Sequence, residues 1–323
     1  MGIPEKLQQI PLLEQVAEDI YKLSVHFPFG MRQVNSYLFK GDKGYTIVDT
    51  GSCAKESKAI WEQVMAAGIR IEKLVFTHTH PDHIGLTSWF QKEYGTPVHI
   101  FNLGYKEVQR VRNLKASCKW MCNFLKQHGG PEISEDLLLL ESKSFEFEPD
   151  AIFEADDTIK LGNDSYEIIR TPGHAPDHIC FYSQERQILV SGDHVLGKIS
   201  PIIAVWSAED LNPLQDYYDS LDLVSRYEVK LVLPGHGDVI TDLSGRTEEI
   251  KLGHNRRIQQ IFHSIKNEAK TAGEIYQDIY GELSIYKFFS PLMTTISRLI
   301  YLESIGKVRS EIKNEVYYYH LID

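Results

Sequence analysis

The chain has 323 residues, 42% of them apolar and 24% charged, an ordinary balance for a soluble globular protein and more length than one small core needs. No apolar run approaches the length that crosses a bilayer, and the N-terminus lacks a basic region followed by an apolar stretch, so neither a membrane partner nor export is expected. The net charge of −11 is uneven: residues 251–323 carry ten Lys and Arg against eight Asp and Glu, or +2, which leaves −13 elsewhere and disfavours general polyanion binding by the body. Four cysteines, Cys53, Cys118, Cys122 and Cys180, form no CxxC and fit a reduced, cytoplasmic chain.

In chain order, the first ten residues read as a ragged leader and residues 17–27 (AEDIYKLSVHF) alternate as one strand. Two apolar runs around Gly41-Asp-Lys-Gly44 predict a hairpin, whose second strand ends in Val48-Asp49-Thr50-Gly51. Residues 55–67 carry apolar positions at helical spacing and stop at Gly68. A strand at 73–76, a helix at 85–95 and a strand at 97–101 follow. Residues 104–148 break the alternation. A helix is expected from Tyr105 to His128 and another from Ile133 to Glu141, an insertion of the kind that forms lids or binding surfaces. Within it Trp120 and Phe124, four apart, line a pocket or pack as core. Strands then return at 158–162, 165–173, 178–193 (a hairpin turning at 183–186) and 229–237, with a helix over 213–227 before the last. Alternating strands and helices call for a layered α/β domain with its site along one sheet edge.

The chemistry sits at the strand ends. Thr77-His78-Thr79-His80-Pro81-Asp82-His83 places three imidazoles and a carboxylate in six positions after an apolar strand. Neutral imidazole is the commonest protein ligand for zinc. In an extended loop His78 and His80 point the same way and can grip one ion, while Asp82 and His83 lie just beyond, in reach of a second. A loop rich in histidine by chance is the alternative. Three later strand ends repeat the punctuation: Thr171-Pro-Gly-His174, Ser191-Gly-Asp193 and Leu233-Pro-Gly-His236, each with glycine before the candidate ligand. His78, His80 and His174 would hold a first metal, and Asp82, His83 and His236 a second. Asp193 would bridge them, and water between the ions would ionise near neutral pH. Asp49 either orients a ligand histidine or caps a turn. His178 either meets substrate as a proton donor or is a hydrogen-bonded structural histidine. Lys198 attracts an anionic substrate or is simply solvated.

The segments THTHPDHIGL, TPGHAPDHI, SGDHV and LPGHGDVI, in this order, resemble those of the metallo-β-lactamase superfamily of hydrolases, and NSYLF and YTIVDTG resemble its opening strands. The likeness covers about residues 18–245. It implies an α/β fold, an αββα sandwich, with a dinuclear zinc site on one edge. Two Zn2+ ions per chain are expected, Fe or Mn being alternatives. A bridging hydroxide would attack a carbonyl carbon or phosphorus, with Asp82 orienting the nucleophile. The flavodiiron branch has Glu where this chain has His80, which argues against that branch. The sulfur dioxygenase branch keeps HxHxDH around one iron, so a mononuclear iron dioxygenase stays open. A small ester or thioester is the preferred substrate, and a phosphodiester, as in an endoribonuclease, the alternative. A true β-lactamase is not expected without an export signal.

Residues 251–323 read as a separate C-terminal domain, after a catalytic domain over 1–250. Helices over 252–269, 274–280 (opened by the capping box Thr271-Ala-Gly-Glu274) and from Pro291 precede a hairpin turning at Lys313-Asn314. The order resembles the winged helix of the β-lactamase-like-protein-2 group. Such a domain binds RNA through Arg256, Arg257, Lys307, Arg309 and Lys313, or it walls the site or forms a homodimer contact. A nucleic-acid-binding regulator with structural metals is the remaining reading.

Overall fold

The computed structural model describes residues 10–322 apart from 11, 29, 113, 134–141, 156 and 285–286, with the side chains of 114–117 and 142 also outside the description. One sheet runs in sequence order from β1 (Leu13–Ala17) through β2 (Ile20–His26), β3 (Gln33–Gly41), β4 (Gly44–Val48), β5 (Ile71–Val75) and β6 (Val98–Phe101) to β7 (Ala151–Phe153). It is antiparallel up to β4 and parallel from there on. The second sheet has the order β12 (Leu231–Pro234), β11 (Ile188–Gly192), β10 (Ile179–Ser183), β9 (Asp164–Arg170), β8 (Thr158–Leu161), with only β11–β12 parallel. Parallel strands buried on both faces need uninterrupted apolar sequence, which Tyr45-Thr-Ile-Val48 and Ile188-Leu-Val190 supply.

Three cores stack across these sheets. Tyr37, Phe39, Val48, Tyr166, Phe181 and Val190 fill the space between the sheets. Helices α1 (Lys55–Ala66), α3 (Thr87–Tyr94) and α4 (Asn102–Arg112) cover the first sheet through Trp61, Phe90 and Val108; the short α2 (Pro81–Ile84) precedes α3. Fully burying a side chain such as Phe90 contributes about 1.5–3 kcal/mol. Past α5 (Leu114–Gln127), α6 (Pro213–Val224) covers the second sheet with Leu214, Tyr217 and Leu221. The result is a helix–sheet–sheet–helix sandwich: the alternation of strands and helices predicts its α/β layering, and the family resemblance implies the order of the layers.

Some boundaries differ from expectation. The strand expected over 17–27 is the second arm of a hairpin with β1, turning at Asp19, which takes the left-handed conformation at φ 56°. The helix expected over 105–128 is present as α4 and α5, and the one expected over 133–141 lies outside the described residues. α7 (Leu243–Ser264) starts nine residues before the expected helix, capped by Asp242, which accepts from Gly245 N at 2.9 Å. Then come α8 (Ala272–Tyr280) with its Thr271–Glu274 capping box, α9 (Phe289–Ser304), and the antiparallel pair β13 (Val308–Lys313) and β14 (Val316–Leu321). The last turn is Asn314-Glu315, both at positive φ, as a two-residue hairpin loop requires. A fourth core joins this tail to the insertion: Ile258, Ile261, Leu292, Ile296 and Tyr319 pack with Met121 and Leu125 of α5 and with Ala204 and Val205. Trp120 and Phe124 stack at 4.9 Å and pack against it.

Candidate metal centre

Every strand end singled out in the sequence meets at one edge of the sandwich. Asp49 follows β4, His78 and His80 follow β5, His83 sits in α2, and His174, Asp193 and His236 follow β9, β11 and β12. The donor atoms of His78, His80 and His174 lie within 4.8 Å of one another, as do those of His78, His83 and Asp193, and those of Asp82, His83 and His236. Asp193 stands between the groups: Oδ1 is 3.5 Å from His83 Nε2, and Oδ2 is 3.3 Å from His236 Nε2 and 3.6 Å from His174 Nε2. Asp82 Oδ2 lies 3.5 Å from His236 Nε2.

The ring tautomers are set from behind. A carboxylate and a carbonyl only accept, so His83 Nδ1 donates to Asp49 (2.8 Å), His174 Nδ1 to Ile202 O (2.7 Å) and His236 Nδ1 to Gln33 O. Thr77 Oγ1 donates to Asp49 (2.8 Å) and so accepts from His78 Nδ1 (3.0 Å). In each of these rings, when neutral, Nε2 carries the lone pair that a metal requires; that of His78 lies 3.0 Å from His80 Nδ1. Asp49, in the left-handed region at φ 61°, thereby fixes two imidazoles and also binds Thr77 N at 2.9 Å. It orients a histidine, the first of the two roles expected of it.

Three buried atoms in this cluster, His83 Nε2, His174 Nε2 and Asp193 Oδ1, have no hydrogen-bond partner among the described residues. Unsatisfied buried polar atoms are rare in folded proteins, and three facing each other fit a cation between them. The His/Asp donor set fits a borderline metal such as zinc. The electrostatics divide the cluster. Burial, then neighbouring imidazoles, hold His78 and His80 well below the ordinary histidine range. Burial also lowers His174. Burial opposes protonation of His83 and His236 as well, but Asp193 and its fellow carboxylates outweigh it and raise both. Against its own burial, Asp193 is held well below the carboxylate range by His236 and His83.

His178 is fully buried, with Nδ1 2.8 Å from Thr171 Oγ1 and Nε2 accepting from Asp193 N at 3.1 Å. Both ring nitrogens are engaged inside the protein, the arrangement of a structural histidine that fixes the Asp193 backbone. Glycine is needed at two neighbours: a Cβ on Gly192 (φ 48°) would lie 2.7 Å from Thr77, and one on Gly235 would collide with Asp193 Oδ1. His254 lies away from the cluster, against Tyr217, Tyr218 and Arg298.

Several further residues support the cluster. Asn35 Nδ2 donates to Pro234 O (2.9 Å) and Gly237 O (2.8 Å), and Tyr37 Oη to Pro234 O (2.8 Å), clamping the loop that bears His236. Asp177, 2% exposed, binds the backbone and hydroxyl of Thr79 between His78 and His80; burial and nearby Glu107 push its carboxyl up to about 7. Trp206 Nε1 donates to His174 O at 2.8 Å, its ring 5.1 Å from that of His80. A cleft of about 520 Å3 opens beside His236, lined by Met31, Leu196, Ile199 and Val239. Arg246 braces its wall by donating to Leu196 O (2.6 Å) and Ile199 O (2.8 Å). Lys198 is exposed and pairs with Asp238 at 3.1 Å.

Known proteins resemble this chain. The probable metallo-hydrolase YqjP of Bacillus subtilis (strain 168) is 27% identical over 317 residues, 94% of this chain and 98% of that protein. The atrochrysone carboxyl ACP thioesterase of Aspergillus fumigatus is 25% identical over 286 residues, 82% of this chain and 75% of that one. The crystal structure of a metallo-beta-lactamase family protein from Thermus thermophilus superposes with a TM-score of 0.83 at 25% identity, over 95% of this chain and all of that one. Residues 29–236 match the metallo-beta-lactamase superfamily, a span that opens ahead of Asp49 and closes on His236. The chain therefore belongs to the metallo-beta-lactamase superfamily, and it is an enzyme, a hydrolase of that superfamily.

Proposed function

We propose that the protein is a dinuclear zinc hydrolase acting on a small ester or thioester. The observation that carries this reading is Asp193, whose carboxylate reaches His83 on one side and His174 and His236 on the other. His78, His80 and His174 would hold one ion, and Asp82, His83 and His236 the other, with Asp193 shared. When bound, such a pair supplies a hydroxide-like nucleophile near neutral pH and Lewis acidity toward the carbonyl. The chain's own residues do the positioning. Asp82, whose side chain is 27% exposed and so the most open of the cluster's carboxylates, accepts a hydrogen bond from the attacking water and aims it. Asp49 and Thr77 keep His83 and His78 in the ligating tautomer. Met31, Leu196 and Ile199 offer an apolar wall to the acyl group. The leaving group departs as thiol or alcohol.

The −13 charge outside the tail and the thioesterase relative favour a small acyl substrate over a nucleic acid. Four cysteines with no CxxC among them fit a reducing, cytoplasmic setting. One feature favours a second reading, a phosphodiesterase on RNA. The tail runs helix, helix, helix, hairpin, with Lys270 bridging to Tyr319 of β14, an order that supports reading it as a winged helix. Its start falls within α7, where Ile250 packs on the sandwich but Ile258 and Ile261 join the tail's core. The purified enzyme, assayed on a short acyl thioester, the matching ester and bis-p-nitrophenyl phosphate, decides between them. Preferred turnover of the thioester or ester is expected, and turnover of the phosphodiester alone overturns the acyl reading.

A further inference from the structure

Arg298, on α9, is 8% exposed at the junction of α6, α7 and α9. A guanidinium keeps its charge in proteins, so a buried one requires a partner of opposite sign. Among the described residues no carboxylate pairs with it, and a nearby charge is a second cation, Arg257. Its partners are neutral: Nη1 donates to Thr294 O at 3.2 Å, Nη2 reaches His254 Nδ1 at 3.4 Å, and the Tyr280 hydroxyl makes a further bond. Nε–H has none. Because His254 Nδ1 accepts, the ring proton is on Nε2, which also lacks a partner. So does the buried hydroxyl of Tyr218, whose ring stands edge-on to His254 at 5.9 Å.

The Nε2–H of His254 points away from the guanidinium, so the buried donors left without acceptors beside the uncompensated charge are Arg298 Nε and the Tyr218 hydroxyl. Water would meet the donors but not the charge, and an anion meets both. We infer that Arg298 and Tyr218 form a binding site for a small monovalent inorganic anion of the chloride class, with His254 holding the guanidinium from the other side. One guanidinium balances one negative charge, and Arg298 Nε and the Tyr218 hydroxyl are both closed to solvent, which favours a small ion over an organic body. The anion ties α6, which covers the sandwich, to α7 and α9 of the tail, and it takes no part in hydrolysis.

Crystals of the full, metal-loaded chain grown in bromide should give an anomalous signal within hydrogen-bonding distance of Arg298 Nε. In solution, replacing gluconate by chloride at constant ionic strength should raise Tm by roughly 2 °C or more. Arg298→Met should abolish that rise while keeping the full metal content. A water refined at the site with no bromide signal, or an equal chloride response in Arg298→Met, overturns the inference. Should that variant not fold, Tyr218→Phe must shrink both the response and the signal; an undiminished response overturns the inference equally.

Discussion

The sandwich and the tail are both built on large apolar cores, yet they relate to the active centre in opposite ways. Strands paired in the sandwich end along one edge, and those ends, with α2, supply all seven candidate ligands. The tail's core supplies none. It reaches the centre through the loop at 202–206, where Ala204 and Val205 are buried in that core and Trp206 packs on Phe289. That loop grips His174 at both ends, through Ile202 O on its ring and Trp206 Nε1 on its carbonyl. The sandwich thus decides which atoms face the candidate metal centre, and the tail restrains one of its histidines.

Mutations can break this division in order of size. Asp193→Ala removes the group shared by both clusters, and its loss of activity and metal should exceed the roughly 10–100-fold that losing a supporting hydrogen bond costs, as read by metal analysis and turnover. Asp49→Asn removes such a support from His83 and Thr77, so metal affinity in a competitive chelator titration should fall by about 10–100-fold. Trp206→Phe keeps the packing and deletes one hydrogen bond to His174 O, worth about 1 kcal/mol, so only a few-fold weakening is expected. An effect of Trp206→Phe as large as that of Asp49→Asn would mean the tail helps build the centre. The last prediction concerns stability. Burial lowers His128 from 6.5 to about 4, and its Nδ1 lies 2.8 Å from Tyr319 Oη, joining α5 to β14. A base depressed on folding stabilises above its unfolded pKa and loses that contribution as pH falls toward the folded value. Wild type should therefore weaken between about pH 6.5 and 4, and His128→Gln should show a shallower loss in chemical denaturation.

The same contrast explains what was legible in the sequence. Each candidate ligand follows a strand, and glycine marks three of the loops, so local text located the residues that meet at the sandwich edge. The α/β layering followed from apolar strand runs alternating with helical periodicity. β1 was missed because Leu13-Glu-Gln-Val-Ala17 hardly alternates and its turn uses Asp19 in a conformation usually left to glycine. The three-residue β7 is too short to carry a pattern. The tail's core was illegible for a different reason. Amphipathic faces show that α5 and α7 bury something, but not that Met121, Val205 and Ile261 bury it together from places far apart in the sequence. Trp206 carries no motif, and Asn35 lies in NSYLF with nothing local to mark its role, because both act through hydrogen bonds to backbone atoms distant in the chain.

Metal content per chain, measured on protein purified without chelator and compared with His80→Ala, tests the central claim most directly. The account predicts about two ions per chain, zinc foremost, with both metal and hydrolysis lost in the variant. A single iron with oxygen uptake and no hydrolysis, or two ions retained in His80→Ala, would contradict it.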